Sequence, residues 1–298
     1  MTELKFRRFT LNQRVQHIIF FTTFILLAYT GFPLKFPDEW WSQWMIASVG
    51  GFANRTFIHH YAGLLMIGVS VYHVVFHLLE KPRFDILFNM KDLQDFQQQV
   101  KYYFRYTDKQ PEFGRYTWKQ KFEYFGAGFG AVVMGFTGIL MWHPFAAMQY
   151  FPIGFIQIAN LFHTWEAVLA SLAVFIGHFY DEHLGKFLNM SWVTGNISEE
   201  EMKHEHAAEY EEALNNPELR ERINNNKNKG ISEVPNSVLM IMTKDETPDN
   251  SKKDQTPSNI LIFGLARLVF TIVFLTICVW MLWISYQVLV EAVSTYIL

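Results

Sequence analysis

Residues 57–79 read FIHHYAGLLMIGVSVYHVVFHLL, and residues 157–180 read QIANLFHTWEAVLASLAVFIGHFY. Each stretch approaches the roughly 20 apolar residues that an α-helix needs to cross a hydrocarbon core. Each also carries two widely spaced histidines: His59 and His73 lie 14 residues apart, His163 and His178 lie 15 apart. At about 1.5 Å and 100° per residue, both pairs sit roughly 20 Å apart along one approximate helix face. Two further apolar runs, 15–33 and 122–143, complete a set of four, and a fifth, 260–290, follows a long polar connection. The expected fold is an all-α membrane protein: a four-helix transmembrane bundle plus one additional C-terminal transmembrane helix.

The composition agrees with two unlike parts averaged together. Half of the 298 residues are hydrophobic and 17% aromatic, yet the mean hydropathy is only +0.06. The diluting material is 181–258, which carries 16 acidic against 9 basic residues. Its run from Glu199 to Glu212 reads as a charged helix, an Asn-rich stretch follows, and Ser232 to Ser258 has the composition of a tether. The expected organisation is therefore 1–198 as the bundle domain, 199–258 as an acidic, partly helical and then flexible segment, and 259–298 as the last spanning helix. A single cysteine, Cys278, excludes a disulfide framework, a four-thiolate metal site and thioether-linked haem. A net charge of −3 gives no basic surface for nucleic acid. No internal repeat and no phosphate-binding glycine loop is evident.

Lys and Arg set the orientation. Of 25 basic residues, 22 fall in 1–14, 80–123 and 181–258, while the intervening loops hold Lys35 and Arg55. The positive-inside rule then puts the N-terminus in the cytoplasm and, with five spans, the C-terminus in the periplasm of a bacterial inner membrane. The first run lacks a small-x-small cleavage site and is too long for a signal h-region, so it reads as an uncleaved helix.

An ionisable side chain inside a spanning helix is a functional residue by default. Four histidines at two matched depths on facing helices, with His17 opening the first helix, are what bis-histidine haem requires, since each iron takes axial nitrogens from both sides of the ring. Glycines such as Gly31, Gly63 and Gly138 let a backbone approach a flat macrocycle. Arg14 and Arg55, near the membrane edges, are candidates to pair with propionates. A lone intramembrane histidine is more often a helix–helix hydrogen-bonding residue; the set is what points to haem.

The chain resembles the di-haem cytochrome b subunits of membrane formate dehydrogenases and nickel–iron hydrogenases. The resemblance rests on Arg8-Phe9-Thr10, Gln13-Arg14, His17 and Thr30-Gly31-Phe32-Pro33 in the first helix, and on Arg55, His59 and Gly63 in the second. Arg115 to Lys121, Thr137-Gly138-Ile139 and Met141-Trp142 carry it through the third, and His163, His178-Phe179-Tyr180, Thr194 to Ser198 and His204 through the fourth. It covers about residues 1–212. The resemblance implies two haem b groups, the outer one held by His59 and His163 and the inner one by His17 and His178. It also implies a menaquinone pocket beside the inner haem, lined by the segment entering the third helix. There Thr117 replaces the family's Asn, and Gln120 is retained. This chain departs further by carrying His60, His73 and His77. The His59/His73 and His163/His178 spacing is also similar to that of bc-type cytochrome b, so His73 stays open as a substitute for His17, with His60 a second alternative. If His17 and His73 both serve, a third haem near His17, His77 or His183 follows.

The function that these readings imply is electron transfer between menaquinone, or another quinone, and a periplasmic redox subunit or cytochrome c, with the chain as the electron-transfer subunit of a larger oxidoreductase. Asp181, Glu182, His183 and Glu123 stand near the level where quinone protons would move. The outer loops Phe36 to Asn54, with Trp40, Trp41 and Trp44, and Pro144 to Gln157 suit docking, although an interfacial aromatic belt explains the same tryptophans. The alternatives are a histidine proton relay or transporter, which would need intramembrane carboxylates beyond Glu166, and a non-redox membrane anchor, which leaves the paired histidines unexplained.

Overall fold

A threonine followed three residues later by a glutamine opens two of the long helices. The Thr10 N–H donates to Gln13 Oε1 at 2.9 Å and the Gln13 N–H donates to Thr10 Oγ1 at 3.3 Å, at the start of α1 (Leu11–Lys35). Thr117 and Gln120 repeat the exchange, 3.1 Å each way, at the start of α5 (Trp118–Trp142). These capping boxes satisfy N–H groups that a first turn leaves without carbonyl partners. The computed structural model describes residues 5–79, 84–184, 189–215, 217, 220–221, 233–234, 276, 280–281, 283–290 and 293.

Between these two helices come α2 (Trp40–Ser48), α3 (Phe52–Leu79) and α4 (Met90–Tyr103); after α5 come α6 (Pro144–Ala147) and α7 (Ile153–Leu172). The turn from α2 to α3 uses Gly50 and Gly51 at φ of +89° and +95°; a Cβ on Gly50 would also lie 2.5 Å from Asn54 Nδ2. From Ala173 to Leu184 the chain continues α7 in wider π-helical turns. The chain is a mostly helical, multi-pass membrane protein; among the described residues its spans are Leu11–Lys35, Phe52–Leu79, Trp118–Trp142 and Ile153–Tyr180. Each begins about four residues before the boundary read from hydropathy. The helical hydrogen bonding starts among interfacial polar residues such as Asn12, Gln13, Asn54 and Lys119, where apolarity has already fallen away. The predicted fifth span lies largely outside the described residues. Residues 283–290 are helical, with Ile284 and Val288 buried.

The repeat that sequence inspection missed is visible once the helices are in place. Arg8 and Arg115 stand 107 positions apart and grip each other's backbone: Arg8 Nη2 donates to Arg115 O, and Arg115 Nη2 donates to Arg8 O at 3.0 Å. The same spacing relates Thr10 to Thr117, Gln13 to Gln120, Arg14 to Lys121, Thr30 to Thr137 and Gly31 to Gly138. Helices α1 and α5 therefore carry one pattern twice. The intervening residues have diverged, and only capping, buried hydroxyl and close-packing positions persist.

The described residues cluster in two units. One draws on Gln16–Pro82, Phe125–Phe179 and Leu265–Leu298. Its apolar core joins Phe136, Ile139 and Leu140 of α5, Ala146 and Ala147 of α6, Ile156 and Ala159 of α7, and Ile284 and Val288. The other unit draws on Met1–Val15, Arg83–Tyr124 and Tyr180–Gly264. It adds to the all-α expectation a small sheet of order β2-β1-β3, with β1 (Lys5–Arg7) antiparallel to β2 (Asn196–Ser198) and parallel to β3 (Glu233–Val234). Strands of two or three residues are too short to leave an alternating signal. After α8 (Ser191–Thr194), the acidic run forms two helices, α9 (Glu199–Glu205) and α10 (Ala207–Asn215), broken at His206. The tether expected over Ser232 to Ser258 lies outside the described residues apart from Glu233–Val234.

Helices α9 and α10 are packed, not merely tethered. Phe6, Ile197, Met202, Tyr210 and Ala213 are buried together in this unit. Glu209 receives Arg8 Nη1 at 2.9 Å and Arg115 Nη1 at 3.1 Å, and both guanidiniums lie over the Tyr116 ring. His206 is buried, with Nδ1 2.9 Å from Gly114 O. Because Glu209 neutralises two buried cations, Glu209→Gln should cost about 3–5 kcal/mol of local stability. Hydrogen exchange over 199–215 measures it as a loss of protection. Burial, then the charge of Arg8, holds the His206 ring well below its ordinary 6.5. The unfolded ring takes up a proton that the folded ring refuses, so this contribution is complete above about pH 6.5 and declines as the pH falls. Protection of 199–215 should drop between pH 7.5 and 5.5, and His206→Gln should flatten that drop.

Candidate functional site

A threonine in an apolar helix places its hydroxyl proton on the carbonyl one turn back, because lipid offers no other acceptor. Thr30 Oγ1 donates to Leu26 O at 2.6 Å and Thr137 Oγ1 donates to Val133 O at 2.7 Å. With the proton committed, each oxygen can only accept from the imidazole beside it: His59 Nδ1 lies 2.9 Å from Thr30 Oγ1, and His163 Nδ1 lies 2.9 Å from Thr137 Oγ1. Both rings therefore carry their proton on Nδ1 and keep a lone pair on Nε2. The next residue in each helix is glycine. A Cβ at Gly31 would meet His59 Cε1 at 3.3 Å, and one at Gly138 would meet His163 Cε1 at 3.3 Å.

The two rings so oriented face each other. The His59 and His163 ring centres are 6.4 Å apart, inclined at 64°. His17 and His178 make a second pair, 6.1 Å apart and inclined at 49°. A metal ion bonded at about 2 Å to one nitrogen of each ring sets two imidazole centres roughly 6 Å apart. Both pairs meet that requirement, and the Nδ1-protonated form of the first leaves the nitrogen that such an ion needs. The residues present fit bis-histidine haem.

The other expected site residues have more local partners. Arg55 is buried on α3 and its Nε donates to Thr30 O, so one threonine binds His59 through its hydroxyl and Arg55 through its carbonyl. Arg14 Nη1 donates to Val193 O, while its buried Nε has no hydrogen-bond partner among the described residues. Thr117 and Gln120 meet in the α5 capping box. His73, the open alternative to His17, has Nδ1 2.7 Å from Gln16 Oε1, stands edge-on to Phe20, and lies 4.4 Å from the His77 ring. His60 stacks on Trp142 at 4.1 Å, and His143 stacks on the same indole at 5.0 Å. The orienting roles of Thr30 and Thr137 escaped sequence reasoning. The available signal was Thr-Gly recurring twenty residues after Thr-x-x-Gln in both helices.

The family model of prokaryotic cytochrome b561 matches residues 8–188, which contain both histidine pairs. The cytochrome b556(fdo) subunit of formate dehydrogenase from Escherichia coli K12 is 25% identical over 193 residues, covering 64% of this chain and 81% of that protein. The same subunit from Escherichia coli O6:H1 and O157:H7 matches equally. The family match spans most of the chain and includes the four membrane helices among the described residues; the chain belongs to the prokaryotic cytochrome b561 family, as a multi-pass membrane cytochrome b that binds haem b and transfers electrons.

Proposed function

We propose that the chain binds two haem b groups, an outer one through His59 and His163 and an inner one through His17 and His178, and passes electrons between a quinone pool and a periplasmic redox partner. The observation that carries this reading is the pair of imidazole separations, 6.4 and 6.1 Å. When bound, haem supplies the one-electron iron couple. The chain's own residues do the rest: Thr30 and Thr137 hold the proton on Nδ1, Gly31 and Gly138 admit the rings, and Arg14 and Arg55 supply guanidinium groups for propionates. His17 is preferred to His73 because its ring lies 6.1 Å from that of His178.

Quinone, menaquinone by family resemblance, is assigned to a pocket lined by Thr117 and Gln120. The E. coli relative is the cytochrome subunit of formate dehydrogenase, which supports a dehydrogenase, reductase or multihaem cytochrome c as partner. The basic residues in 1–14, 80–123 and 181–258 support a bacterial inner membrane with the N-terminus in the cytoplasm and the C-terminus in the periplasm. In this organisation residues 1–198 form the haem domain, 199–258 a cytoplasmic segment and 259–298 a further anchor.

A pyridine haemochrome assay on the purified protein should find two b-type haems per chain; none, from a host that makes haem, would overturn the proposal. His163→Ala and His17→Ala should each lose one haem, and His73→Ala should keep both. Loss of a haem in His73→Ala with none lost in His17→Ala would reassign the inner ligand. Thr137→Val keeps the shape but removes the acceptor for His163 Nδ1–H, which lowers the basicity of the ligand. One midpoint potential should rise by roughly tens of millivolts in a redox titration, with haem content unchanged.

A further inference from the structure

Helix α4 is built inside out. The side chains it turns toward the rest of its unit are polar. Asp92, 5% exposed, closes a capping box with Asn89 and takes Lys121 Nζ at 2.8 and 2.9 Å on its two oxygens. Gln99 Oε1 accepts the Trp118 indole N–H at 2.6 Å, and Lys91 Nζ donates to Glu112 O at 2.8 Å and Asp95 Oδ2 at 2.7 Å. On the opposite face run Leu93, Phe96, Val100 and Phe104, at the spacing of one helical stripe. Leu93 is 48% exposed, Phe96 42% and Phe104 72%. A helix bordered by water buries the apolar stripe and exposes the polar one; α4 does the reverse.

The stripe is continuous with a surface that already belongs in lipid. Phe96 meets Trp118 edge to face at 4.9 Å. Trp118 begins a line along the spanning helix α5 that continues through Phe122, Phe125 and Phe129, all three exposed. Beyond α4, Arg105 adopts φ of +59°, a left-handed conformation unfavourable for a side chain larger than glycine. The Tyr106 N–H closes that turn onto Lys101 O at 2.8 Å, which leaves Tyr106 exposed beside Phe104. Lys101 and Arg105, exposed at the edge of the stripe, complement lipid phosphates.

We propose that α4 is an in-plane helix of the membrane–water interface, with Leu93, Phe96, Val100 and Phe104 seated in the lipid of the leaflet where α5 begins. The occupant is the bilayer itself. The buried Asp92–Lys121 pair then ties the first turn of α5, with Thr117 and Gln120, to a helix that cannot leave the membrane surface without exposing its apolar face.

The test uses the holoprotein with Cys278→Ser, carrying Leu93→Cys, Phe104→Cys or Gln94→Cys labelled with bimane, in vesicles of phosphatidylcholine and phosphatidylglycerol. Retained b-type absorbance reports that each variant is folded. Doxyl-labelled lipid should quench the probes at 93 and 104, and iodide should quench them about threefold less than the probe at 94, which lies on the polar exposed side. Equal iodide access at all three positions would overturn the proposal. Iodide protection without quenching by lipid would overturn it too, by showing that protein covers the stripe. In the unsubstituted holoprotein, a photoactivatable phosphatidylcholine should leave adducts within residues 93–104. Adducts on α5 with none on α4 would refute the lipid assignment independently of any substitution.

Discussion

The bundle depends on where two hydroxyl protons go. In water a threonine can shift its proton among many acceptors; on a helix in lipid it donates to the carbonyl of the preceding turn, and its oxygen becomes an acceptor of fixed direction. Thr30 and Thr137 are committed in this way, so His59 and His163 approach them with Nδ1–H and keep Nε2 unprotonated. Buried polar groups left unpaired cost several kilocalories per mole in an apolar interior. The fold therefore pairs both of these imidazoles through Nδ1. The glycines after the two threonines let the rings come close, and Arg55 consolidates the arrangement by taking the Thr30 carbonyl.

That device occurs twice because the helix bearing it occurs twice. The spacing of 107 preserves the capping box, the Thr-Gly step and the arginines that grip each other across Glu209. It does not preserve His17, whose counterpart is Tyr124. The His59 and His163 site is thus symmetric in construction, each ring held by a threonine of a partner helix, while the His17 and His178 pair draws one member from a position that the second helix lacks. The two histidine pairs therefore sit in different surroundings on one scaffold.

Much of this was legible in the chain. Hydropathy placed four spans, basic residues suggested an orientation, and histidine spacing singled out His59, His163 and His178, while the pairing of His178 with His17 came from the family resemblance. Helix starts were read late because hydropathy records the hydrocarbon core and not hydrogen bonding among Asn12, Gln13 and Lys119. The short sheet was invisible because strands of this length have no periodicity. The burial of His206 was not legible because its neighbours in sequence are charged, while Gly114 O and the Arg8–Glu209–Arg115 cluster that surround it bring in residues 91 to 198 positions away. The repeat was hidden because Thr, Gln and Gly recur too commonly to stand out until Arg8 and Arg115 are seen bonded to each other.

The wide helical turns after Ala173 explain why spacing alone left the second pair open. His59 and His163 are 104 positions apart, whereas His73 and His178 are 105 apart. Relative to α3, the span Ile153–Tyr180 thus holds one extra residue between its histidines, and a π-helical segment is how a helix absorbs an insertion without breaking its hydrogen bonds. Each residue in such turns advances the chain by a smaller angle than in an α-helix, so a histidine beyond the insertion points elsewhere than a uniform 100° per residue implies. A strictly α-helical count makes His178 the equivalent of His73 on a matching face and favours those two as partners. The His178 ring stands 6.1 Å from that of His17, within these wide turns, and His73 bonds Gln16. No count of intervals along the chain gives that pairing without knowing how the helix winds.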